Sequence, residues 1–391
     1  MINLNKSIKE KCIGCEACKE ICPTSCIKME YDEEGFLFPH INEKECIKCK
    51  KCETVCAIYK ELILDLEKIK KEIEVFAVWN LNEVIRKESS SGGFFSVLAE
   101  KILEEKGIVI GAIFNEEFQV IHDFINKKED LYKLRGSKYV QSSVNNTYSL
   151  TKENLKKGKK VLYSGTPCQI DGLYNFLGKN HENLVTCGIV CHGVPSPKIF
   201  EIYLEYLKNK FKEGIKEIKF REKVNGWRGF NFSVLFKNDK KYSEKFSKDY
   251  YCSGFGQNLY LRKSCYKCNY KLNSDFLIGD FWGIELSDFN LDDNKGISLV
   301  ILKSLKAKII FKSLKKRFFS KEFSLEKSII KNPNILEAAF TNTSRSDFYR
   351  DYDEKGFEYV LNKYLESDIK KLNFSNFLYR VKRKIKRSLF K

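Results

Sequence analysis

No stretch of about 18 uncharged apolar residues occurs in the 391-residue chain, so no helix is expected to span a bilayer. The chain opens Met-Ile-Asn-Leu-Asn-Lys and runs straight into cysteine motifs, so no signal peptide is expected. Neither G-x-G-x-x-G nor a Walker A loop is present, which leaves a Rossmann dinucleotide site and ATP hydrolysis unsupported. The four histidines are scattered, with no H-E-x-x-H pair for zinc. There is no internal repeat and no low-complexity segment. These absences point to the cytoplasm, where the 15 cysteines read as thiols or metal ligands, not structural disulfides.

What is present suits a folded protein of two or three domains. Hydrophobic residues make up 43% and charged residues 31%, with 30 Phe and 20 Tyr to fill cores. The formal net charge is +18, which suits an acidic partner surface, an anionic cofactor or a membrane face. No nucleic-acid motif accompanies the charge, so no nucleic-acid partner is expected.

Nine cysteines fall in residues 1–56, eight of them in two runs: Cys12-x-x-Cys15-x-x-Cys18-x-x-x-Cys22-Pro23 and Cys46-x-x-Cys49-x-x-Cys52-x-x-x-Cys56. In such runs three thiolates wrap one 4Fe–4S cubane and the fourth reaches the other. Cys12, Cys15, Cys18 and Cys56 are thus expected to hold one cluster; Cys46, Cys49, Cys52 and Cys22 hold the second. Zinc sites use separated cysteine pairs, a less specific match. Ala57 stands where the first run has proline, and Cys26 reads as a small buried filler. IKMEY and GFLFPHI, around Asp32–Gly35, read as a hairpin.

The expected fold class is α+β. A dicluster ferredoxin domain (1–60) leads by a linker helix (61–74) into a mixed α/β domain in two parts (75–158 and 159–330), followed by a basic helical tail (331–391). Strand-like runs at 75–79, 107–114, 118–124, 160–165, 184–190, 215–220, 230–236 and 298–303 alternate with helical stretches near 94–106, 146–157, 167–177 and 197–212. Residues 306–391 read as mainly helical and basic. In the tail NFLYRVKRKIKRSLFK, Phe377, Val381, Ile385 and Leu389 fall on one face and seven basic residues follow from Arg380. Such a helix suits an anionic membrane surface, giving an expected peripheral contact at the inner face; a solvated helix packed on the domain is the other reading.

Seven segments, taken in order, resemble the coenzyme F420 hydrogenase/dehydrogenase beta-subunit family. They are SSSGGF (89–94), GSKYVQS (136–142), GTPCQ (165–169), CHGVPSP (191–197), FREK (220–223) with Gly226-Trp227, SCYKC (264–268) and GDFWG (279–283). The resemblance covers residues 75–290. It implies an FAD-binding fold, electron transfer through iron–sulfur clusters and, in many members, a deazaflavin as hydride donor or acceptor. Relatives include reductases of chlorophyll-type double bonds and side chains, and proteins linked to surface-polysaccharide synthesis.

The residues themselves support parts of this. Ser90, Ser91, Gly92 and Gly93 precede a helix and could bind a diphosphate at its N-terminus; a plain serine cap with a glycine pair is the alternative. Lys138, Tyr139, Gln141 and Ser142 suit phosphate contact and flavin stacking, or an ordinary loop. Thr166 and Gln169 follow a strand and open a helix, where open α/β sheets place ligands. Asp280 lies in another family-like loop, and Trp282 could stack on a ring or fill the core. Cys168, Cys191, Cys265 and Cys268 would complete a third 4Fe–4S cluster; inert buried thiols, a zinc site or a redox pair would use the same residues. Cys187 and Cys252 are less favoured as ligands. His192 is a candidate proton relay, or a structural histidine.

The expected function is an iron–sulfur flavoprotein oxidoreductase. It would move electrons between F420 or another small-molecule hydride donor or acceptor at FAD and a redox partner protein, either a ferredoxin or a catalytic subunit. The alternative is a non-catalytic electron-transfer subunit of a larger complex, linked to polysaccharide biosynthesis.

Overall fold

Short Val- and Ile-rich runs separated by amphipathic stretches build strands and helices in alternation. The computed structural model describes residues 6–59, 71–179, 181–270 and 272–366. Among these, thirteen strands form three sheets. Strands β1 (Ile27–Tyr31) and β2 (Leu37–Ile41) make the expected antiparallel hairpin. Its turn is closed by the Phe36 amide donating to Asp32 Oδ1 at 2.8 Å. Gly35 sits there at φ +80°, and a Cβ would collide with Lys198 of the larger domain.

The strands that follow are β3 (Glu74–Asn80), β4 (Ile108–Phe114), β5 (Val120–Ile125), β6 (Val161–Gly165), β7 (Leu184–Ile189), β8 (Ile215–Glu222), β9 (Asn231–Phe236), β10 (Lys241–Lys245), β11 (Phe276–Asp280), β12 (Ser298–Leu302) and β13 (Phe318–Phe323). Eight form one mixed sheet, ordered β13-β3-β12-β11-β7-β6-β4-β5. β11, β7, β6 and β4 run parallel, and β5, β12, β3 and β13 join antiparallel. β8, β9 and β10 form a separate antiparallel sheet, packed against helix Pro197–Phe211 through Phe200, Leu204, Phe220 and Phe232.

Alternate residues of the central strands serve opposite faces. Val109, Leu162 and Val185 meet helix Phe94–Glu104 through Val97, Leu98 and Ile102. Ile108, Ile110, Val161, Tyr163 and Leu184 meet helices Thr147–Lys156 and Pro167–Leu177. Two expectations change. Glu74, the last residue assigned to the linker helix, already pairs with Leu302 in the sheet; residues 61–70 lie outside the described residues. Within 306–391, Phe318–Phe323 is an edge strand rather than helix, because its aromatics split by side: Phe318 is buried while Phe319 stacks on Trp79 at 3.9 Å. Of the tail, residues 367–391 lie outside the described residues. No helix among the described residues is long and apolar enough to cross a membrane.

The N-terminal domain seats on the larger one through specific contacts. Ala17 and Val55 join the core beneath Tyr148, Ile170 and Leu173. Helix Thr147–Lys156 has no side-chain cap of its own. Glu16 Oε1 accepts from the Val144 amide and Glu20 Oε2 from the Ser149 amide, each at 2.7 Å, so two N-terminal-domain carboxylates meet the positive end of that helix. Arg262 donates to the carbonyls of Cys12 (2.7 Å) and Leu37 (3.0 Å). Arg345 forks onto Glu34 at 2.8 and 2.6 Å.

Candidate metal centres and polar cluster

The two cysteine runs share a backbone shape. Gly14 and Glu16 flank Cys15 at φ +67° and +60°, and Lys48 and Lys50 flank Cys49 at +55° and +60°. These left-handed residues curl each run so that three cysteines face one cavity. Cys12, Cys15 and Cys18 line the first, and Cys56 arrives from the other run. Cys46, Cys49 and Cys52 line the second, joined by Cys22 and also by Cys26. Cys22 and Cys26 Sγ lie 3.4 Å apart.

A third cavity is lined by Cys168, Cys191, Cys265 and Cys268, with His192 and Tyr270. Cys168 opens the helix after β6, Cys191 follows β7, Cys265 lies within the turn Lys263–Lys267 and Cys268 follows it. Thr166 Oγ1 lies 3.1 Å from Cys168 Sγ, and the Val194 amide donates to Cys265 Sγ at 3.4 Å. Ile13 lines both the first and the third cavity, so one side chain separates them. Cys187 and Cys252 sit in hydrophobic cores instead.

Burial, with repulsion from the neighbouring Cys268 and Cys191, holds the Cys168 thiol well above its ordinary range; burial pushes Cys265 to about 12 and Cys56 to about 11. Burial of these thiols disfavours their thiolates unless a positively charged core compensates them, and four cysteines around one space are the donor set of a cubane. The donor sets therefore fit 4Fe–4S clusters. Among the described residues, no three or more His, Cys, Asp or Glu side chains converge on a point suited to a single ion; each quartet surrounds a space.

β3, β4, β6, β7 and β11 all end at the same edge of the large sheet. The third cavity lies beyond β6 and β7, and a bonded polar cluster lies beyond β3 and β11. Its centre is Arg221, buried at the end of β8. Arg221 donates to Asp280 (2.6 and 3.0 Å), the Tyr139 hydroxyl (3.1 Å) and the Ser90 carbonyl (3.1 Å), and sits 3.8 Å above the Phe230 ring. Its Nε is buried without a hydrogen-bond partner. Trp227 Nε1 also donates to Asp280, and its ring stacks on Trp282 at 4.5 Å and 4°. Lys223 donates to the carbonyls of Arg86, Ser91 and Lys295 at 2.7–2.8 Å. Gly93, at φ +83°, starts helix Phe94–Glu104 with no side-chain cap.

The structure thus gathers Ser90, Ser91, Gly92, Gly93, Tyr139 and Asp280 around Arg221 and Lys223. Gly92 is needed where it stands, since a Cβ would collide with the Val78 carbonyl. Lys138 lies beside this group, 5.9 Å from the Phe114 ring, its ammonium brought down to about 8 by burial. Four expected residues go elsewhere. Gln141 bonds the Ile13 carbonyl and Arg262, at the domain contact. Thr166 and Gln169 form a reciprocal cap on helix Pro167–Leu177, and Gln169 also bonds Ser142, which bonds buried His122. His192 lines the third cavity, bonds Asn258 Oδ1 and meets Phe255 edge-on; Phe255 in turn stacks on Tyr139 at 4.9 Å. An aromatic bridge therefore links the third cavity to the Arg221 cluster.

Arg221 and Lys223 went unassigned in the sequence, although both lie in a family-like segment. Their spacing of two at a strand end, which places both on one side, is the signal that could have found them.

Family models match in order along this architecture. Residues 11–58 match a 4Fe-4S dicluster domain. Residues 75–149 match the N-terminal model, and residues 158–326 the C-terminal model, of the coenzyme F420 hydrogenase/dehydrogenase beta subunit. The uncharacterized protein MJ1349 of Methanocaldococcus jannaschii is 24% identical over 76% of this chain and 87% of its own length. The uncharacterized polyferredoxin-like protein MJ1302 of the same organism is 35% identical over 60 residues, 13% of this chain and 36% of that protein. A chain of the F420-reducing [NiFe] hydrogenase complex from Methanosarcina barkeri superposes with a TM-score of 0.45 at 19% identity, covering 67% of this chain and 88% of that one. The dicluster domain marks this chain as an iron–sulfur electron-transfer protein, and by its two matched beta-subunit models it belongs to the coenzyme F420 hydrogenase/dehydrogenase beta-subunit family.

Proposed function

We propose that the chain is an iron–sulfur flavoprotein oxidoreductase that couples a hydride donor or acceptor at FAD to one-electron carriers. The observation that carries this reading is the succession of sites: two quartets that exchange cysteines, a third quartet across Ile13, and an Arg221-centred polar cluster across Phe255. Cys46, Cys49, Cys52 and Cys22 would hold an outer cluster; Cys12, Cys15, Cys18 and Cys56 an inner one; Cys168, Cys191, Cys265 and Cys268 a third. Clusters supply single-electron exchange, and a flavin supplies exchange of an electron pair as hydride.

The chain's own residues set the stage for both. The unpartnered Arg221 Nε and the uncapped start of helix Phe94–Glu104 offer donors to an anionic cofactor. Asp280 fixes the Arg221 plane, and the Trp227–Trp282 stack walls one side against water. Val194 and Thr166 hydrogen bonds to Cys265 and Cys168 hold those sulfurs in place. His192, beside the third quartet, is positioned to hold a proton near it. The hydride partner is F420 or another small organic molecule.

One observation favours the alternative of a non-catalytic electron-transfer subunit. Ser90 Oγ, Ser91 Oγ and the Gly92 amide are already bonded to Ser137 and Ser298, which leaves them less available to a diphosphate. Anaerobic purification with iron and flavin analysis separates the readings. The oxidoreductase should carry about twelve irons and one FAD, and Cys265→Ser should lower iron by about four. FAD with about eight irons in the parent chain would return the third quartet to a structural role. No flavin, even after reconstitution, would leave the carrier subunit.

A further inference from the structure

We infer that the face over the outer quartet is a docking surface for an acidic one-electron carrier protein, recognised by Lys48, Lys50 and Lys51. The inference rests on the cluster order proposed above. In the outer quartet, Cys49 is exposed. Ile47 beside it is 63% exposed. Every charged side chain lining that cavity is a lysine: Lys48, Lys50 and Lys51. All three are exposed, and none is in an ion pair among the described residues. Glu43 and Glu45 precede the loop without lining the cavity.

The other two cavities differ. The charged residue lining the inner one, Glu16, is spent on the Val144 amide, and the third is lined by no Lys, Arg, Asp or Glu. The lysines also stand where backbone shape disfavours them. Lys48 and Lys50 are left-handed, at the places where the first run has Gly14 and Glu16. A Cβ crowds the backbone in that conformation, and glycine would avoid the strain. Cluster folding therefore does not call for lysine at Lys48, whereas a cationic rim does.

An apolar centre with a charged rim is the usual anatomy of a transient protein contact. Its sign selects a partner with acidic side chains around its own redox centre. Each encounter passes one electron: the carrier is oxidised by one and the outer centre reduced by one, or the reverse, with no atom transferred.

The test uses the full chain, purified anaerobically, and a reduced acidic two-cluster ferredoxin as probe. The variant K48E/K50E/K51E should lower the second-order rate constant by on the order of tenfold at low ionic strength. The difference should shrink near 1 M salt, where the screening length is about 3 Å. Calorimetry of the oxidised pair should show weaker binding to match. Bound iron and reduction by an uncharged photoreductant should not change. The same charge reversal at exposed Lys237 and Lys240, in the β9–β10 turn, and at exposed Lys245, at the far end of β10, should leave the rate unaltered. An unchanged rate in K48E/K50E/K51E overturns the inference. So does equal slowing with the photoreductant, which would mean that the lysines set the potential of the centre. A parent chain lacking the outer iron fails earlier, at the cluster assignment itself.

Discussion

Cys26 reads in the sequence as a filler, yet its sulfur lies 3.4 Å from that of Cys22 and faces the same cavity. A fifth thiol at that distance can take over the fourth ligand position with a small backbone shift. Cys22→Ser should therefore keep its full iron, whereas C22S/C26S should lose about four irons; loss in C22S alone would reject the substitution of one sulfur for the other. His122 shows a second property that only folding reveals. Burial, against weak support from the Ser164 carbonyl, lowers its pKa to about 4. Ser142 Oγ sits 3.0 Å from Nδ1 and the Ser164 carbonyl 3.0 Å from Nε2, an arrangement suited to a neutral ring donating from Nε2. The unfolded ring, titrating near 6.5, holds a proton that the folded one gives up. The stabilising contribution is thus complete above about pH 6.5 and declines as pH falls toward 4. Denaturation midpoints measured from pH 7 to 5 should fall in the parent chain and fall less in His122→Gln.

At the scale of elements, Gly172 shows why a helix and a cysteine loop fit together. On helix Pro167–Leu177, a Cβ at this position would lie 2.9 Å from Cys15 Cβ and 2.8 Å from the Tyr148 hydroxyl. Its absence lets the inner quartet approach the helix that carries Cys168. Gly172→Val should destabilise the chain by about 1–3 kcal/mol through overpacking and should speed loss of the inner cluster in air. An unchanged melting temperature would show that the contact can yield. Most elements were legible because their patterns are local: the runs at 107–114, 160–165 and 184–190 became β4, β6 and β7, and the hairpin around Asp32–Gly35 is present. β13 is not legible in the sequence because its basic surroundings resemble a helical surface, and its identity depends on pairing with β3. That β8–β10 form a sheet apart is likewise a matter of which edges meet, which no window of sequence contains.

At the scale of the whole molecule, the parts line up because the N-terminal domain is tied down on several sides: Glu16 and Glu20 on one helix, Arg262 on the cysteine loop, Arg345 on the hairpin. These contacts join residues more than a hundred positions apart and bring the inner quartet to within one side chain of the third. The two cysteine runs, and which of their thiols share a cavity, follow from the sequence alone, since short spacings dictate which sulfurs can face one space. The sequence also determined the alternating core, through period-2 and period-3.6 burial. The tertiary fold is what makes Cys168, Cys191, Cys265 and Cys268 converge, and what puts Arg221 rather than Ser142 or Gln169 at the centre of the polar cluster. It also set the outer quartet's lysines at the exposed end of the line. The physical reason is the same in each case: local geometry follows from neighbours in the chain, whereas a site built from several strand ends exists only once the sheet has chosen its order.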